Sequence, residues 1–125
     1  TDVYGEVHNS VIGSGVTIGK GSVIRDSIIM KNTVIGENCV IDRAIIAENS
    51  VVGDGAVLGV GEDIPNKKKP SVYCFGLVTI GDSTVIPPNV KIGKNTAIEG
   101  ETVPEDYPGG VLDSGETLIK AGGVL

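Results

Sequence analysis

Aliphatic residues return along this chain every five or six positions: Val7, Ile12, Ile18, Ile24, Ile29, Ile35, Ile41, Ile46, Val52, Leu58 and Ile64, then Ile80, Ile86, Ile92 and Ile98. An α-helix repeats its buried face about every 3.6 residues and a strand alternates, so neither element sustains this spacing. Three lines set 17 residues apart, VIGSGVTIGKGSVIRDS from Val11, IIMKNTVIGENCVIDRA from Ile28 and IIAENSVVGDGAVLGVG from Ile45, align in chemistry. Ile18, Ile35 and Val52 share one column; Ile24, Ile41 and Leu58 share a second; the small Ser22, Cys39 and Ala56 share a third. A chain that turns every six residues and regains its phase after 17 is a coil of triangular section, with three short parallel strands per turn.

The expected fold is therefore all-β: a parallel β-helix of hexapeptide repeats. Large aliphatics fill the middle of each face, and Gly or Asn takes the corners, where φ turns positive. Residues 7–64 form the first rungs and 77–100 the further rungs. At about 4.8 Å per coil these make roughly four to five coils, on the order of 20 to 25 Å in all. Between them "GEDIPNKKKPSVYCFG", with two prolines and three consecutive lysines, cannot be a regular rung, so 65–76 is an extruded loop. Lys67, Lys68 and Lys69 are then either a solvated tip or a contact for an anionic effector. In 101–125, VLD and ETLIK flanking Ser114-Gly115 predict a capping hairpin over the last coil, whose edge groups need cover.

Composition agrees with this single domain of 125 residues. Three Tyr, one Phe and no Trp leave the core to Val, Ile and Leu, and 19 Gly serve the turns. Sixteen acidic against ten basic residues, net −6, disfavour a nucleic-acid partner. No apolar run reaches the length of a membrane span and no signal segment is present, which points to the cytoplasm. Cys39 and Cys74 lack metal-ligand spacing and suit a reducing compartment. The start at Thr1 suggests a piece of a longer chain.

The 17-residue phase also sets opposite charges on adjacent coils: Arg25 with Asp42, Asp26 with Arg43, Lys20 with Glu37, and Lys31 with Glu48. Such surface pairs are each worth less than about 1 kcal/mol and help fix register. Residues just before the inward aliphatics point outward, namely Val11, Ile28 and Ile45 on one face and Val23, Val40 and Val57 on another. Two apolar stripes of this kind mark contact surfaces unless β-propensity alone explains them. Catalytic, cofactor-binding and metal-binding residues are all assigned as none. His8 has no partner to activate, no Ser or Cys has an adjacent base, and the glycines recur at corners rather than in a strand-to-helix phosphate loop.

"NSVIGSGVTIGKGSVIRDSIIMKNTVIGENCVIDRAII" together with "GLVTIGDSTVIPPNVKIGKN" resembles the C-terminal domain of bacterial glucose-1-phosphate adenylyltransferase, the ADP-glucose pyrophosphorylase of glycogen biosynthesis. The resemblance runs from Val7 to about Ile98 and implies a left-handed β-helix. It also implies a parent that makes ADP-glucose and pyrophosphate from ATP and glucose 1-phosphate, with Mg2+ used alongside ATP in a preceding catalytic domain absent here. In that family the β-helix holds the catalytic domain, joins subunits in a homo- or hetero-tetramer and contributes to a phosphate-effector site. Regulatory sister subunits belong to the same family. Two other classes stay open: a hexapeptide acyltransferase, which needs a histidine at the cleft between neighbouring helices, and a non-catalytic scaffold.

Overall fold

The structure is a computed structural model, and it describes residues 2–61, 64, 66 and 76–119. Its strands form three parallel sheets, the three faces of a β-helix. The first face carries Asp2–Val3, Thr17–Ile18, Val34–Ile35, Val51–Val52 and Val85–Ile86. The second carries Glu6–His8, Val23–Arg25, Val40–Asp42, Val57–Val60, Lys91–Gly93 and Val111–Leu112. The third carries Val11–Ile12, Ile28–Ile29, Ala44–Ile46, Val78–Ile80, Thr96–Glu99 and Thr117–Ile119. Pairing keeps the predicted phase: Ile18 lies beside Ile35 and Ile35 beside Val52, while Ile24, Ile41 and Leu58 stack on the second face. All six of these side chains are buried in one cluster that runs the length of the coil.

Two kinds of small residue let coils approach this closely. At the corners Asn38, Asn49 and Asn89 adopt positive φ, as do Gly21 and Gly55, so the chain turns without steric cost. Gly19 serves a different purpose: a Cβ there would lie 2.7 Å from the Gly36 carbonyl carbon of the next coil. Buried hydroxyls tie the corners together. Ser22 Oγ donates to Gly36 O at 2.7 Å and accepts from Cys39 N at 3.0 Å, and Thr33 Oγ1 donates to Ala47 O at 3.0 Å. Among the described residues no buried side-chain polar atom lacks a partner, as a dry core requires.

Three expectations are corrected. The segment after residue 100 is a further coil instead of a capping hairpin. Val111–Leu112 pairs in parallel with Lys91–Gly93 and Thr117–Ile119 with Thr96–Glu99, on different faces. Six strands therefore stand on each of two faces, more coils than the spacing up to Ile98 predicts. Following the coil covers two open strand edges at once and brings Leu112 and Leu118 against the core, whereas a hairpin would cover one. Two 3-10 turns, Pro104–Asp106 and Pro108–Gly110, occupy the corner before Val111.

The rungs also end before Ile64, which is 42% exposed. Register shifts after Leu58, and Gly59 and Gly61 take positive φ, so the chain swings off the second face too early for Ile64 to point inward. The expected loop 65–76 lies outside the described residues except for Asn66 and Gly76; Asn95 Nδ2 donates to Ile64 O at 2.9 Å, and its Oδ1 accepts from Gly76 N at 2.8 Å. Asn66 Nδ2 donates to Asn95 O at 2.8 Å beside them.

Finally, of the four predicted charge pairs only Lys31–Glu48 forms among the described residues, Nζ to Oε2 at 3.9 Å. Arg25 and Asp42 are in register without an ion pair. Long exposed side chains gain little over water by meeting.

Candidate functional site

Groups able to do chemistry are scattered. His8 is exposed, with Nε2 3.4 Å from Glu6 Oε2; the Ser10 hydroxyl bonds the His8 backbone carbonyl at 2.8 Å, and among the described residues no hydroxyl or thiol bonds the ring. Cys39 is fully buried; its thiol donates to Gly53 O at 3.1 Å, and burial pushes its pKa up, away from the nucleophilic thiolate. Tyr107 is buried in the last coil. Thr102 Oγ1 donates to Val85 O at 2.6 Å, so the phenol, 2.8 Å away, donates to Thr102. Burial pushes its pKa up to about 12. Among the described residues no three His, Cys, Asp or Glu side chains gather as metal ligands. Lys67, Lys68 and Lys69 lie outside the described residues.

The surface carries more information. Val11, Ile28 and Ile45 stand in register on the third face, with Val11 63% exposed, Ile28 exposed and Ile45 half-buried. On the second face Val23, Val40 and Val57 are also in register but half-buried. A stripe missed by the sequence reading lies on the first face: Val34 and Val51 pair and are 43% and 41% exposed. The rule that found the other two, the residue before each inward aliphatic, finds these as well when applied before Ile35 and Val52. Exposed Met30, on the corner between the third and first faces, lies between the two open stripes. Aliphatics over two adjoining faces offer area for packing and nothing for proton or group transfer.

The family described as "GlmU-like, C-terminal hexapeptide" matches residues 3–80. The chain belongs to this family. Among curated relatives of this GlmU-like chain, glucose-1-phosphate adenylyltransferase of Lachnospira eligens is 69% identical over 122 residues, covering 98% of this chain and 29% of the relative. The enzymes of the same name from Thermotoga neapolitana and Acetivibrio thermocellus are 58% and 40% identical over 94% and 96% of the chain, each matched over 28% of its own length. The chain thus spans less than a third of these relatives and corresponds to their C-terminal region.

Proposed function

We propose that this GlmU-like hexapeptide chain is the C-terminal domain of a glucose-1-phosphate adenylyltransferase. The complete polypeptide forms ADP-glucose and pyrophosphate from ATP and glucose 1-phosphate for glycogen biosynthesis in the cytoplasm, with Mg2+ and the reacting groups in the preceding catalytic domain. The observation that carries this reading is the 69% identity, over nearly the whole chain, to a relative of that name. The domain itself serves assembly. Val11 and Ile28 on the third face and Val34 and Val51 on the first, all exposed here, seat the catalytic domain or a sister subunit of a tetramer. Lys67, Lys68 and Lys69 are the proposed contact for a phosphate effector.

Pyrophosphate release from ATP and glucose 1-phosphate tests the assignment. The complete polypeptide is expected to turn over, and the 125-residue chain to give only the blank rate. Release by the chain alone, or none by the complete polypeptide, refutes it. Acyl transfer from a thioester donor by the chain would favour the hexapeptide acyltransferases.

A further inference from the structure

We draw no further inference here: the strongest candidate, the exposed aliphatic patch of Val11, Ile28, Val34 and Val51 over the adjoining third and first faces, carries nothing beyond the docking role already proposed, because nothing in the structure shows which partner covers it.

Discussion

Replacing Ile35 by alanine strips three carbon groups from a side chain that is 1% exposed and held between Ile18 and Val52 of the flanking coils. At about 0.8 kcal/mol per buried carbon group, the lost transfer energy is about 2.4 kcal/mol. Backbone hydrogen bonds fix the coils on both sides, so the hole cannot collapse, and its residual volume adds on the order of 1 to 2 kcal/mol. The expected loss is about 4 kcal/mol by equilibrium denaturation in urea. Val34→Ala, one residue away and 43% exposed on the outer surface, is the internal control and should cost less than about 1 kcal/mol. Equal costs at the two positions would refute the inward and outward assignment of the first face, and with it the register of the whole coil.

Gly19→Ala should cost at least about 2 kcal/mol, because its methyl would press on the Gly36 backbone of the next coil; thermal unfolding checks this, and a neutral result would mean that the coils can part there. Tyr107→Phe should cost about 1 kcal/mol by removing the donor to Thr102 Oγ1. The phenol's folded pKa of about 12 stands above its ordinary 10.0. Its contribution is therefore complete below pH 10 and lost as pH rises toward 12, and a denaturation series across that window should fall more steeply for the parent than for Tyr107→Phe. With Cys74 replaced by serine, native protein at pH 8 should resist thiol reagents until unfolded, because Cys39 is fully buried; prompt labelling would contradict its place in the core.

The inward columns up to Leu58 were legible because the aliphatics recur every five or six residues and members pair with counterparts 17 residues away, so there sequence phase and spatial register are the same quantity. Where the phase breaks, legibility fails for reasons of partner choice. Leu112 and Leu118 lie six apart, as in any rung, but Ser114-Gly115 suits a hairpin and a coil corner equally, and what decides is the free edge of Lys91–Gly93, distant in sequence. Ile64 lies six after Leu58, yet the positive φ values at Gly59 and Gly61 carry the chain away first. The buried Asn66 and Asn95 read as ordinary polar residues; only the structure shows that Asn95 bonds both Ile64 and Gly76. Tyr107 gave no periodic signal, since a plug is used once. The exposed stripes were half legible: period identifies outward positions, and packing around them decides how far each stays open.

Parallel stacking at a fixed rise turns this domain into a ruler. Each coil adds about 4.8 Å, so the six described strands on a face span on the order of 24 Å. That separation is counted in whole turns and is insensitive to which aliphatic fills any one of them. The insertion after Gly61 does not alter it, because the chain resumes at Val78 directly beside Ala44. Length can therefore be tuned only in units of a full coil.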